Sequence, residues 1–424
     1  MLPGEAPLKT IEPLAPQERI VEVDVVRGFA LFGVLLVNMY GFGADSIVWT
    51  STADRTASAI THVLFEDKSW TLFALFFGFG FALQLERLSE PGASLRLARA
   101  WVRPVYTIYL RRLAVLFAMG VAHALLFDGD ILMLYAELGV VLLLVHRLPS
   151  RVLLGLAVVL LLVFPVLHFR SPPDVPVEST AIDTARAQLE EARRVDVYAV
   201  GSLAAVAKDN ADVIPTDPRA DLAAPESSLA VLAMFLVGFV CGRSGILRDI
   251  PRLARPPARL RRWGLGLGLG ALVAEWLLRA DPAGKGSRLT ADLLLAFGVP
   301  VLALGYAATL ILAVQTSRGR AVLGPLGRVG RMSLTVYLSG TLMFTTLFYG
   351  YGFGQVFRLG PVAVTCWAVL FFLVQVVACV WWTARFRFGP AEWLWRSLTY
   401  LSWQPLRQVA QGSPRKLPSP DASP

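Results

Sequence analysis

Charge is what this chain has least of. Only 17% of its 424 residues are Asp, Glu, Lys or Arg, and 55% are hydrophobic. Soluble domains carry nearer a quarter charged residues, and the mean hydropathy of +0.57 points the same way. Cysteine is also scarce. Cys241, Cys366 and Cys379 form no CxxC pair and all lie in apolar stretches. They are expected to be buried thiols, without a disulfide framework or zinc site. Histidine occurs four times, as His62, His123, His146 and His168, and no metal-ligand spacing joins them. A nucleophile elbow and a dinucleotide fingerprint are missing as well. Residues 1–22 read as a polar, proline-bearing tail without a cleavable signal pattern, so the first apolar run is expected to direct insertion.

Long apolar runs fill the rest. Ten are expected to be membrane spans, near 25–43, 69–86, 113–127, 131–146, 152–169, 228–242, 263–279, 291–314, 333–354 and 362–384. The third and fourth are the shortest, joined only by Asp128-Gly129-Asp130. The expected fold is an all-α polytopic helical bundle. One membrane domain, 23–403, would hold a long insertion at 170–227, with a disordered tail at 404–424. The insertion reads as one or two helices over 180–207, capped by Ser179 or Thr180, and covers the outer face.

The formal charge of +9 would suit nucleic acid only if the bases shared a soluble face. They fall in separate loops instead: Arg87 to Arg112, Arg243 to Arg262, Arg318 to Arg331, and Arg385 with Arg387. An even number of spans puts all four on the side of the N-terminus. By the positive-inside rule both termini are then cytoplasmic, and the expected location is the cell membrane, multi-pass. The lipid bilayer is the expected partner, nucleic acid is not, and oligomeric state stays open.

Polar groups inside such spans are costly and ask for a reason. Asp24 and Arg27 open the first run, and Asn38 follows within it. His123 lies one turn from the outer end of the third run. Its imidazole could act as a base near neutral pH, or could serve the fold alone. Asp128 and Asp130 frame the turn after it, as possible partners or as solvated turn residues. Glu137, two helical turns past Asp130, shares its face and could orient His123 or pair with a base. Lys68, in Glu66-Asp67-Lys68, could neutralise the acidic turn, hold an anionic substrate, or sit in a solvated charge run. The Gly327–Leu338 stretch, with Arg328 and Arg331, places glycines and bases at a helix start, a setting that suits anions. Glu392 and Arg396 are four apart and could pair along a helix. Gly264 to Gly270, glycine at every second position, reads as a close-packing face.

Val23–Asn38, Lys68–Gly80, Arg111-Arg112, His123–Tyr135, Gly330–Leu338 and Gly389–Arg396 occur in an order that resembles the YeiB-like membrane proteins, domain-of-unknown-function family 418. The opening Asp24…Arg27-Gly28 also resembles the wider transmembrane acyltransferase superfamily. That resemblance implies transfer of an acyl group from cytoplasmic acyl-CoA, as co-substrate with no tightly bound cofactor, to an acceptor such as a sugar or glycolipid on the far side. It implies Arg27, Arg111, Arg112 and Arg331 near the CoA phosphates and Asn38 at the thioester carbonyl. Superfamily histidines follow the basic residue at positions that are Asn38 and Trp49 here, so His123 becomes the substitute base, oriented by Asp128, Asp130 or Glu137. The alternatives are a multi-pass transporter or flippase, with Glu137 on its path, and a non-catalytic membrane subunit.

Overall fold

A computed structural model describes residues 20–42, 49–88, 104–170, 181–214, 225–246, 255–280 and 285–407. These residues are mostly helical, and an isolated bridge between Phe386 and Arg407 is the β feature among them. In chain order the helices are α1 (Val21–Tyr40), α2 (Thr52–Leu64), α3 (Lys68–Leu88), α4 (Pro104–Ala124), α5 (Leu132–Val145), α6 (Ser150–Arg170), α7 (Ala181–Val200), α8 (Leu203–Val213), α9 (Pro225–Arg243), α10 (Arg255–Ala280), α11 (Lys285–Gln315), α12 (Ser317–Arg331), α13 (Ser333–Phe348), α14 (Pro361–Thr383) and α15 (Pro390–Tyr400).

Each of the ten apolar runs overlies a helix: α1, α3 to α6, α9 to α11, α13 and α14. Length and apolarity suffice for a membrane crossing in Thr52–Glu86, Tyr106–Ala124, Arg288–Gln315 and Pro361–Thr383, and four further helices are apolar but shorter. This is the build of a membrane protein. Two boundaries differ from expectation. The third run belongs to a 21-residue helix that already contains Arg111 and Arg112, whereas residues 125–127 lie beyond it. The ninth run ends early: α13 starts at Ser333, just after α12 ends at Arg331, and stops at Phe348, so residues 349–354 lie beyond it. Cys366, expected buried, is exposed on α14, a helix whose outward side chains include Trp367, Leu373 and Val377. The Ser179 or Thr180 cap lies outside the described residues, as do most of both tails.

With lipid as apolar as the side chains, membrane helices pack by close approach of backbones. Glycines supply that approach. A Cβ on Gly28 of α1 would run into the Leu326 carbonyl of α12, and one on Gly330 of α12 into the Asp24 carbonyl of α1. Likewise a Cβ on Gly78 of α3 would run into the Phe235 carbonyl of α9, and one on Gly238 of α9 into the Leu75 carbonyl of α3. In the glycine-rich run, Gly264 and Gly268 touch Gly305 and Leu302 of α11, while Gly266 and Gly270 face open space. The seam is therefore an i, i+4 row, as a helical face requires. The central helix, α1, packs against α3, α11, α12, α13 and α14.

The helices outside the ten runs tie this bundle at its ends. At one end, Glu392 of α15 reaches the first turn of α13. Its Oε1 accepts from the amides of Leu334 (2.6 Å) and Thr335 (3.2 Å), and its Oε2 from the Thr335 hydroxyl (2.5 Å). Thr335 Oγ1 accepts in turn from the amide of Ala391, at 3.0 Å. Burial pushes the Glu392 carboxyl above the usual carboxylate range, against the pull of these donors. At the other end, Arg194 of α7 donates to Asp128 (2.7 Å) and Tyr198 (2.7 Å), Tyr198 donates to Asn210 of α8 (2.8 Å), and Asn210 donates to the Leu125 carbonyl (3.2 Å). Burial foremost pushes the Tyr198 hydroxyl up to about 12, which keeps it a donor. Its ring stacks on Tyr349 at 4.9 Å. The insertion's helices thereby lie over the ends of α4 and α13.

Two stability tests follow. Gly330→Ala forces α1 and α12 apart and is expected to cost about 1–3 kcal/mol, read as a lower Tm in detergent, whereas Gly266→Ala leaves Tm unchanged. Glu392→Ala strands two amides, at about 1–3 kcal/mol, and Glu392→Gln, which keeps an acceptor, retains most of the Tm. Because the folded pKa of Glu392 is raised, its stabilising share is full below the unfolded value and falls as pH rises through the folded one. Wild type is therefore expected to gain on Glu392→Gln as pH is lowered from 8 towards 5; a difference independent of pH would refute that ionisation.

Candidate functional site

His123 stands in the last turn of α4 with its side chain 2% exposed. Nδ1 lies 2.7 Å from Oδ1 of Asp130, itself 2% exposed, and Nε2 lies 2.8 Å from Thr341 Oγ1 on α13. Asp130 can only accept while ionised, so Nδ1 carries the proton. With Nδ1 as the donor, Nε2 of an uncharged ring would accept from the Thr341 hydroxyl, which also has the Tyr337 carbonyl within 3.4 Å as an alternative acceptor. Asp130 is held in place by the Met133 amide, 2.9 Å from Oδ2, at the start of α5. The ring packs beside Tyr337, centroids 4.9 Å apart, whose hydroxyl accepts from the Ile131 amide at 3.4 Å. Carboxylate, imidazole and hydroxyl thus form one hydrogen-bonded row across α4, the following turn and α13.

Beside this row runs a narrow slot between α1, α13 and α14. It is lined by Leu31, Val34, Leu35 and Asn38 of α1, by Val336, Tyr337, Gly340 and Phe344 of α13, and by Gln375 of α14. Asn38 therefore faces the slot. Tyr337 belongs to both slot and row, and Gly340 precedes Thr341 in the chain.

The other acids part company with His123. Asp128 bonds Arg194 of the insertion, and Glu137 sits half-buried lower on α5. Lys68 is buried, donates to the His62 carbonyl at 3.1 Å and has Asp67, Glu66 and Glu275 as its charged neighbours. Its charge is spent at the α2–α3 corner, not on the 128–130 turn. Nor does the α13 N-terminus stand open to a foreign anion, because Glu392 fills it. Arg396, which could pair with Glu392 along the helix, lies over the Phe388 ring at 4.7 Å.

The candidate phosphate-binding arginines gather at the opposite end of the helices. Arg111 donates to the Thr399 carbonyl of α15 (3.2 Å) and Arg112 to Gln84 of α3 (2.8 Å). The Arg112 guanidinium covers the Trp395 ring at 4.1 Å. Arg27 is close enough to feel the charge of Arg112. Arg331 ends α12, next to the Gly330 contact with α1. Eleven residues of helix separate Arg27 from Asn38, and twelve separate Arg111 from His123, so about 16–18 Å divides the two ends.

Over nearly its full length this sequence has relatives. It is 31% identical over 423 residues to the "Uncharacterized protein YxaH" of Bacillus subtilis, covering 94% of this chain and 98% of that one. It is 31% identical to the "Uncharacterized protein YeiB" of Escherichia coli, covering 90% and 96%. The family model described as "Protein of unknown function (DUF418)" matches residues 241–402. The chain belongs to the DUF418 family. In this DUF418 protein the matched segment carries α13 to α15, hence Tyr337, Thr341, Gln375 and Glu392. Asn38, His123 and Asp130 lie ahead of it. Thr341, Gln375 and the partner of Glu392 escape the sequence reading. Threonine and glutamine in an apolar helix are unusual enough to note, but nothing local ties Thr341 to a residue 218 positions earlier.

The row predicts graded losses. Asp130→Ala leaves Nδ1–H without its acceptor in a buried setting, about 1–3 kcal/mol, and Thr341→Val, which keeps shape, costs less. In wild type, 15N NMR of labelled histidine is expected to show one buried ring protonated at Nδ1, and that signal vanishes in His123→Gln; a ring protonated at Nε2 alone would contradict the row.

Proposed function

We propose that this DUF418 protein is a membrane-bound acyltransferase, multi-pass in the cell membrane, that moves an acyl group from cytoplasmic acyl-CoA to an extracytoplasmic or membrane-embedded acceptor such as a sugar or glycolipid. The observation that carries the reading is the Asp130–His123–Thr341 row beside the Asn38 slot. The orientation used is the one that puts the arginine-rich loops inside.

Arg27 and Arg331, with Arg111 and Arg112 behind them, concentrate positive charge at the cytoplasmic mouth, where CoA phosphates would make charge-assisted contacts. An extended pantetheine arm spans the distance from there to Asn38. The Asn38 amide would donate to the thioester carbonyl as negative charge develops on its oxygen. Nε2 of His123 already faces the Thr341 hydroxyl, so the base works through it. The acceptor O–H or N–H gives its proton to Thr341 Oγ1 while the Thr341 proton passes to Nε2. The acceptor atom attacks the thioester carbon, the C–S bond breaks, and the CoA thiolate leaves with the proton from the imidazolium. Asp130 holds the ring and offsets its charge. Lys68, Asp128 and Glu137 take no part in this step; Asp128 seats the cover formed by α7 and α8.

The test is purified protein with radiolabelled acetyl-CoA and a membrane lipid and glycan extract, scored for labelled product and free thiol. His123→Ala is expected to lower turnover by about 10²–10⁴-fold, the range of general-base catalysis, and Thr341→Ser to keep most of it. Unchanged transfer by His123→Ala removes the row from the mechanism, and failure of wild type to bind any acyl-CoA ends the enzyme reading.

A further inference from the structure

Gln375 is the second amide in the slot, and it comes from the opposite wall. It sits mid-way along α14, 5% exposed, inside the most apolar of the four long candidate spans among the described residues. Its Nε2 donates to the Val336 carbonyl (2.8 Å) and to Ser339 Oγ (2.9 Å). A carbonyl can only accept, so these contacts settle which end of the amide is nitrogen. They also clamp it to one turn of α13. The oxygen, Oε1, is buried and has no hydrogen-bond partner. A buried acceptor left unsatisfied in an apolar setting is expensive. Hydrophobic packing alone would be served better by leucine. The slot it lines is otherwise apolar apart from Asn38 and Tyr337, and among the described residues lining it none is Asp, Glu, Lys, Arg or His.

These features define the occupant by chemistry. It is slender, and the walls must part to admit it, because the slot has room for about one water molecule as it stands. It is uncharged, because no lining side chain carries a charge to match one. It presents a hydrogen-bond donor to Gln375 Oε1 while offering an acceptor to the Asn38 amide on the facing helix. We propose that Gln375 is a donor-recognition residue that accepts a hydrogen bond from a secondary amide of the pantetheine arm, the one nearest the sulfur, and so sets the depth at which the thioester stops beside Asn38. This rests on the acyl-CoA reading above and adds a residue and a contact to it. That amide nitrogen lies two carbons from the sulfur, so in a slot opened by the arm it and the thioester carbonyl would reach Gln375 and Asn38 together. The contact is a positioning one: Gln375 touches the substrate at a distance from the reacting carbon. The same clamp explains why Ser339 and Val336 are engaged, since a freely turning amide could present its NH2 group and repel the donor.

The experiment is calorimetric binding to purified protein in detergent, with three probes: CoA, adenosine 3′,5′-bisphosphate, which lacks the arm, and a CoA analogue whose sulfur-proximal amide is an ester. Wild type is expected to bind the ester analogue about tenfold more weakly than CoA, the size of one neutral hydrogen bond. Gln375→Met is expected to bind CoA about tenfold more weakly than wild type, to bind the bisphosphate equally well, and to be indifferent to the amide-to-ester change. Equal binding of CoA and the ester analogue by wild type would overturn the assignment without any variant having to fold, and would leave acyl transfer standing; a single trapped water then satisfies Oε1. Binding of CoA undiminished in a folded Gln375→Met would do the same. No binding of CoA by wild type removes the acyl-donor reading and this contact with it.

Discussion

The Glu392 carboxylate at the first turn of α13 is the contact on which the site depends. A helix that starts inside a bundle exposes amides that water cannot reach, and each must find an acceptor. Here the acceptor comes from α15, 57 and 58 residues further along. Because the carboxylate takes two successive amides and the Thr335 hydroxyl, α13 cannot slide or rotate without losing all three. That register then decides what faces what. Tyr337 and Thr341, four residues apart and so on one face, are the two α13 residues that meet His123. Gly340 and Val336 turn to the slot and to Gln375. A one-residue slip would rotate the helix by about 100° and present neither set.

The same logic separates what can be read from the chain from what cannot. Apolar runs announce membrane helices through a property of each run alone, and all ten coincide with helices. The helices that escape it, α2 and α12, are amphipathic and too polar to stand out: α12 carries Arg318, Arg320, Arg328 and Arg331 on fifteen residues. The start of α4 escapes for a related reason. Arg111 and Arg112 read as loop because isolated guanidiniums do not belong in lipid, yet Gln84, Trp395 and the Thr399 carbonyl receive them. Those receivers sit on α3 and α15, and their positions exist only in the folded chain.

The His123 site divides in the same way. Histidine is rare here, and an acid seven residues on is near enough for a partner to be foreseen. Which acid it would be depends on the turn. Residues 125–131 leave the helix, so the 3.6-residue periodicity assumed between Asp130 and Glu137 already fails at Asp130, and it relates neither acid to His123. The turn folds Asp130 back onto the ring and points Asp128 outward to Arg194. A sequence reading that carries helical spacing through a break will rank the acids wrongly. Thr341 and Gln375 lie beyond any such reasoning, because each is a common polar residue whose meaning comes from a partner on another helix.

The distribution of polar groups along the bundle bears on the proposed function more than any single residue does. Charges with protein partners cluster at the two ends, guanidiniums at one and the Asp128–Arg194–Asp209 group at the other. A purely structural bundle would leave its middle apolar, since ion pairs and amides there cost desolvation without improving packing. The slot instead holds uncharged amides, Asn38 and Gln375, with Thr341, the imidazole and its Asp130 partner beside it. Neutral amides are poorly suited to carrying an ion across, because they offer no countercharge. They are well suited to gripping an uncharged arm whose charged head stays at the arginine end. On the acyl-donor proposal, that grip would suit a ligand that is anionic at the arginine end and neutral along its length.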